Sequence, residues 1–121
     1  MAKVLLVDDD ELVRYALGAV LRKAGHEVIE EPNGKKVMAV IAAQSPDIIV
    51  TDIIMPEQEG TETIMIVHNE YPDLPIIAMS GGGRNSCEEY LDAAKAFGAV
   101  ATLNKPFDET VLLSLIKQFS G

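Results

Sequence analysis

Residues 48–56 read IIVTDIIMP, and the aspartate in the middle of that run, Asp52, is what needs explaining. Isoleucine, valine and threonine in succession have the β-branched composition of a buried strand. Bringing a carboxylate into such surroundings costs several kcal/mol unless it is paired or liganded. A hydrophobic strand that ends on an acid therefore points to a site at the strand's carboxyl end.

The strand belongs to an alternating pattern. Short β-rich runs occur at KVLLV (3–7), EVIE (27–30), DIIVT (47–51), PIIAMS (75–80) and AVATL (99–103). Helical spacing separates them. Val13, Ala16, Leu17, Val20, Leu21 and Ala24 follow an i, i+3, i+4 pattern that Gly25 stops. A second helix follows the PNG turn at 32–34 and runs through Val37, Val40 and Ile41. The third extends from Thr61 to about Tyr71, and the fourth begins near Ser86, where Ser86 and Glu89 have capping-box spacing, and ends at Gly98. The fifth carries Leu112, Leu115, Ile116 and Phe119 after Asp108 as N-cap.

Five βα units predict an α/β domain, a doubly wound, five-stranded parallel (βα)5 sheet of the flavodoxin-like kind. The runs at 3–7, 47–51 and 75–80 are almost wholly apolar, as central strands buried on both faces should be. EVIEE, with its three glutamates, reads as an edge strand, which gives the strand order 2-1-3-4-5. Ligands of such sheets bind at the carboxyl ends of the strands, beside the switch point.

Composition narrows the function. The 121 residues make one domain, 1–121, large enough to bury a core, with the 48% hydrophobic and 24% charged residues of an ordinary soluble protein. A formal net charge of −9 argues against direct contact with nucleic acid or an anionic membrane, and favours cations or basic partner surfaces. The single cysteine, Cys87, forms no internal disulfide and fits a reducing compartment. MAKVLLVDDD at 1–10 is not a signal peptide, and no run reaches the ~20 apolar residues that span a bilayer. A cytoplasmic location is expected.

The predicted strand ends carry Asp8, Asp9 and Asp10, then Asp52, then Ser80 followed by three glycines, then Asn104-Lys105-Pro106. Singly, each has an ordinary reading: an aspartate as helix cap, a serine bonded to backbone, a lysine as a solvated turn residue. Jointly they bring acids, a hydroxyl and an amine to one edge of the sheet. Two carboxylates ~5 Å apart repel by about 3 kcal/mol at an effective dielectric of 20, so Asp8, Asp9 and Asp52 call for a cation. Mg²⁺ suits one or two carboxylates, with waters and phosphate oxygens completing its shell.

VDDDE at 7–11, TDIIMP at 51–56 with Gly60 four residues past the proline, AMS at 78–80 and KPF at 105–107 together resemble a response-regulator receiver domain with the CheY-like fold. The resemblance covers the whole chain. It implies a two-component signalling switch that promotes its own phosphorylation by a sensor histidine kinase or a histidine phosphotransfer protein, and then signals to a downstream effector domain or protein. By position, Asp52 is the phosphoacceptor. Asp8, Asp9 and Asp52, with the main-chain carbonyl of Ile54, hold Mg²⁺, and Ser80 and Lys105 bind phosphoryl oxygens, the Lys105–Pro106 peptide being cis. The family also admits a homodimer through the face of the fourth and fifth helices. No effector domain is expected within these residues.

This sequence departs from the receiver pattern at Thr102, three positions before the lysine, where receivers often carry an aromatic residue that turns inward. The output is then expected through loop 81–84 and the fourth helix. Ile54 and Gly82 offer no side chain to orient water, so slow loss of the phosphoryl group is expected. A docking module that is never phosphorylated, and a phosphatase with an aspartate nucleophile, are the competing classes. The complete set of matched residues weighs against the first, and an apolar Ile54 two positions after the nucleophile weighs against the second. Met38, Met55, Met65 and Met79 are read as core, His26 and His68 as surface or boundary residues, and Glu57, Glu59, Glu62 and Glu70 as a solvated rim.

Overall fold

A computed structural model describes residues 1–53, 60–81, 92, 94–105 and 107–120. In chain order the elements are β1 (Lys3–Val7), α1 (Glu11–Lys23), β2 (Glu27–Glu31), a 3-10 turn (Gly34–Lys36), α2 (Val37–Gln44), β3 (Ile48–Asp52), α3 (Gly60–Glu70), β4 (Ile76–Gly81), α4 (seen over 94–97), β5 (Ala101–Lys105) and α5 (Glu109–Ser120). All strand pairs are parallel, in the order β2-β1-β3-β4-β5. The predicted topology and order are those observed.

Period-2 alternation divides the apolar side chains between two cores. Leu5, Val7, Ile49, Ile53 and Ile76 face α2 and α3 with Val37, Ile41, Ile64 and Val67. Val4, Leu6, Ile48, Val50, Ile77 and Met79 face α1 and α5 with Leu17, Leu21, Leu112 and Ile116. Every residue of β3 is buried, whereas β2, at the edge, is only half-buried.

The helix ends follow from local chemistry. Asp10 caps α1, its carboxylate accepting from the Leu12 and Val13 amides at 3.0 and 3.2 Å. Gly25, at φ +96°, lies just beyond the helix, its amide donating to the Arg22 carbonyl. Asp108 accepts from both the amide and the hydroxyl of Thr110, as expected of the cap of α5. These bonds lower the pKa of Asp108, so the cap stabilises the fold above the usual carboxylate range and is lost as pH falls through that lowered value.

Asp52 ends β3, as expected. Two expectations are corrected. The fifth strand begins at Ala101, not Ala99: the Ala99 amide donates to the Ala94 carbonyl to finish α4, and the Val100 amide donates to Ile76. Asn104 and Lys105 therefore pair with Ser80 and Gly81, the ladder overriding their poor strand propensity. Met65 is exposed rather than core, because the α3 phase that buries Ile64 and Val67 turns Met65 and Ile66 outward. Met79 is fully buried and Met38 partly so. The start of the fourth helix, Met55, Glu57, Glu59, Gly82 and Cys87 lie outside the described residues.

Gly98 closes α4 at φ +126° beneath the half-buried His68 of α3, where an added Cβ would lie 2.8 Å from the His68 Cβ. Gly98→Ala is expected to destabilise the fold by about 3 kcal/mol, from left-handed strain plus overpacking, measured by urea denaturation.

Candidate functional site

The register of the central strands sets the site. Val7 of β1 pairs with Thr51 of β3, so Asp8, the next residue, stands level with Asp52. Asp52 pairs with Met79, which puts Ser80 one residue farther along β4. The parallel ladder thus carries residues distant in sequence to one rim.

The carboxylates converge there. One oxygen from each of Asp8, Asp9 and Asp52 lies within 4.8 Å of the others. Asp8 is fully buried and Asp52 is 5% exposed, while Asp9 faces water. Asp10 belongs to the α1 cap, although its amide donates to Asp8 Oδ1 at 2.9 Å. The run DDD therefore combines both readings weighed from sequence: two site acids and one cap.

At this spacing, each pair of carboxylates repels by about 3 kcal/mol at an effective dielectric of 20, and by less where Asp9 is solvated. A divalent cation that prefers oxygen would relieve this, and Mg²⁺ holds ligands at ~2.1 Å, so that opposed ligands lie ~4 Å apart. The three acids fit such an ion after only small side-chain adjustment. Ser80 supplies a second sign of an intended ligand: its side chain is fully buried and, among the described residues, its hydroxyl has no hydrogen-bond partner. Leaving a buried hydroxyl unsatisfied costs roughly 1–3 kcal/mol.

The predicted site residues are thus brought together at Asp8, Asp9 and Asp52, with Ser80 on the adjoining strand. Lys105 ends β5, paired in register with Gly81, and its side chain is outside the described residues. Ile54, Pro106 and the expected cis Lys105–Pro106 peptide also lie outside them. Two contributors were not foreseen. The Thr51 hydroxyl, buried in β3, donates to the Asp52 carbonyl at 3.0 Å, and its signal was a polar β-branched residue inside an apolar strand. Arg14 Nη1 donates to the Asp8 carbonyl at 2.8 Å, a contact with no sequence-local signature.

The family model for the response regulator receiver domain matches residues 4–117. The chain belongs to the response-regulator receiver family. Receivers are phosphoacceptor switches of two-component signalling and generally bind Mg²⁺, which agrees with the acid cluster. This receiver is 32% identical to the response regulator protein FleR of Pseudomonas aeruginosa, over 95% of the chain and 24% of that protein. It is also 32% identical to protein PilH of the same organism, over 96% of the chain and 95% of PilH. Among solved structures, a CheY-like receiver domain from Methanospirillum hungatei JF-1 superposes with a TM-score of 0.87 at 27% identity, over 98% of this chain and 92% of that one. The chain spans about a quarter of the length of FleR and the NtrC regulators it matches. Among the described residues, no helix of the receiver is long and apolar enough to cross a membrane.

Asp9→Asn is expected to raise the melting temperature without metal and to shrink the stabilisation by Mg²⁺; identical melting with and without Mg²⁺ in both proteins would refute the electrostatic account. Ser80→Ala, which removes the orphan hydroxyl, is expected to stabilise the unmodified domain by about 1 kcal/mol in urea melts.

Proposed function

We propose that residues 1–121 form one receiver domain in which Asp52 is the phosphoacceptor, charged by a sensor histidine kinase or a histidine phosphotransfer protein in the cytoplasm. Asp8, Asp9 and Asp52 hold Mg²⁺ together with the main-chain carbonyl of Ile54. The single observation that supports this reading is the convergence of three carboxylates, two of them buried, at the carboxyl rim of the sheet. A docking surface that is never phosphorylated has no use for so costly an arrangement.

The chemistry needs little beyond positioning. A carboxylate oxygen of Asp52 attacks phosphorus, forming a P–O bond as the donor's P–N bond breaks, and the electron pair leaves with the imidazole nitrogen. Mg²⁺, when bound, offsets the charge of the acids and of the phosphoryl oxygens. Lys105 supplies a further positive charge, and the Ser80 hydroxyl donates to a phosphoryl oxygen. Burial of Asp52 at the end of a rigid strand fixes the attacking oxygen without a conformational search.

The new charge and acceptor oxygens then bias the domain between two states. With Thr102 half-buried in β5, no aromatic ring is available at that position to swing inward, so the signal leaves instead through residues 81–84 and the fourth helix. The receiving element is a downstream effector domain or protein, and pairing of two copies through the face of the fourth and fifth helices is one route to it.

Incubation with Mg²⁺ and a small acyl phosphate or phosphoramidate, followed by intact-mass measurement, is expected to show a gain of one phosphoryl group that persists for minutes or longer and is absent in Asp52→Asn. No gain in the parent indicates a docking module, and rapid multiple turnover of the donor indicates a phosphatase.

A further inference from the structure

The acids of the cluster must be held in place against their mutual repulsion, and the main chain around Asp8 is anchored by several hydrogen bonds. Its amide donates to the Glu31 carbonyl at 3.1 Å, extending the β1–β2 ladder one residue past Val7. Its carboxylate accepts from the Asp10 amide. Its carbonyl accepts from Arg14 Nη1 at 2.8 Å. That carbonyl belongs to the peptide unit joining Asp8 to Asp9, so anchoring it fixes the orientation of one acid relative to the other.

Arg14 reaches this carbonyl from the second turn of α1 and is itself immobilised. Its Nε donates to Glu30 Oε1 at 3.3 Å, and its guanidinium lies 5.5 Å from the centre of the Tyr15 ring. The other Glu30 oxygen is held by Arg22 at 3.0 Å. The side chains of Arg14 and Glu30 are 12% and 19% exposed, which shields the link from water. The planar guanidinium can serve two acceptors in fixed directions at once, which the single ammonium of lysine cannot reproduce. Glu30 also compensates the charge of Arg14, leaving geometry as its main contribution to the acids.

We propose that Arg14 is a positioning residue for the Mg²⁺ site, clipping the Asp8–Asp9 peptide to the edge strand through Glu30 so that the two carboxylates are presented together. This rests on the reading of the acid cluster as a Mg²⁺ site. Charge and geometry predict opposite outcomes. If Arg14 acts only as a nearby positive charge, removing it tightens binding of a divalent cation, and lysine is an adequate replacement. If it positions the peptide, both replacements weaken binding.

The test is calorimetric titration of the full chain with Mg²⁺ alone, for the parent, Arg14→Lys, Arg14→Gln and Glu30→Gln, alongside thermal melts without metal. Arg14→Lys and Arg14→Gln are expected to weaken Mg²⁺ binding roughly tenfold, the scale of lost outer contacts at metal sites. Glu30→Gln, which leaves Arg14 in place but loosens its hold, is expected to weaken binding less. Acyl-phosphate labelling of the two Arg14 variants should approach the parent rate at saturating Mg²⁺. Affinities within twofold of the parent, or tighter, overturn the proposal even if the melts fall, since a purely structural role lowers stability without altering affinity. Should Arg14→Gln fail to fold, the lysine and Glu30 variants decide. A parent that binds no Mg²⁺ removes the metal-site reading and this proposal together, whereas a binding parent with unaffected variants removes only the role of Arg14.

Discussion

Three like charges held within a few ångströms of one another is the condition to which the rest of this domain answers. Asp8 and Asp52 are brought level by the β1–β3 register, and Asp9 follows its neighbour around the turn. Nothing in the acids themselves favours this, because each gains by moving away from the others. Part of the stabilisation comes from the burial of the apolar strands that carry them. Strands β1 and β3 are covered on both faces, by α1 and α5 on one side and by α2 and α3 on the other. An apolar strand packed in this way does not yield at its end, so a carboxylate placed there stays where the ladder puts it.

The two sides of the rim are secured by different means. On the β2 side, the turn after β1 is tied by side chains: the Asp10 cap, the bond from Arg14 to the Asp8 carbonyl, and the pairing of Glu30 with two arginines. On the β5 side, the described contacts are those of the main-chain ladder, in which Ser80 and Gly81 pair with Asn104 and Lys105. One flank is thus pinned by directional charged contacts that tolerate little displacement. The other carries a serine hydroxyl with no hydrogen-bond partner among the described residues. The proposed switch would draw on both, binding at the pinned flank and responding at the other.

Much of this could be read from the residues. Strand order followed from which runs were wholly apolar and which carried glutamates, because burial on both faces leaves no room for charge. The acid cluster followed from the placement of Asp8, Asp9 and Asp52 after such runs. What escaped was set by tertiary contacts. AVATL looks like a strand, yet Ala99 and Val100 finish a helix and a turn, while the less strand-like Asn104 and Lys105 enter the ladder. Met65 resembles core filler until the phase of α3 turns it outward. Arg14 and Glu30 are separated by 16 residues and meet only because α1 packs against the edge strand. No local pattern encodes a meeting of that kind.

The state of the Ser80 hydroxyl changes how a ligand there should be counted. A new hydrogen bond in a protein ordinarily replaces an old one to water or to a neighbour, so its net worth is only a fraction of its gross strength. Oγ of Ser80 is sealed from solvent and, among the described residues, has no existing partner to surrender. An oxygen arriving within its reach would meet a donor already stripped of water, and the exchange that normally discounts such a contact would not apply.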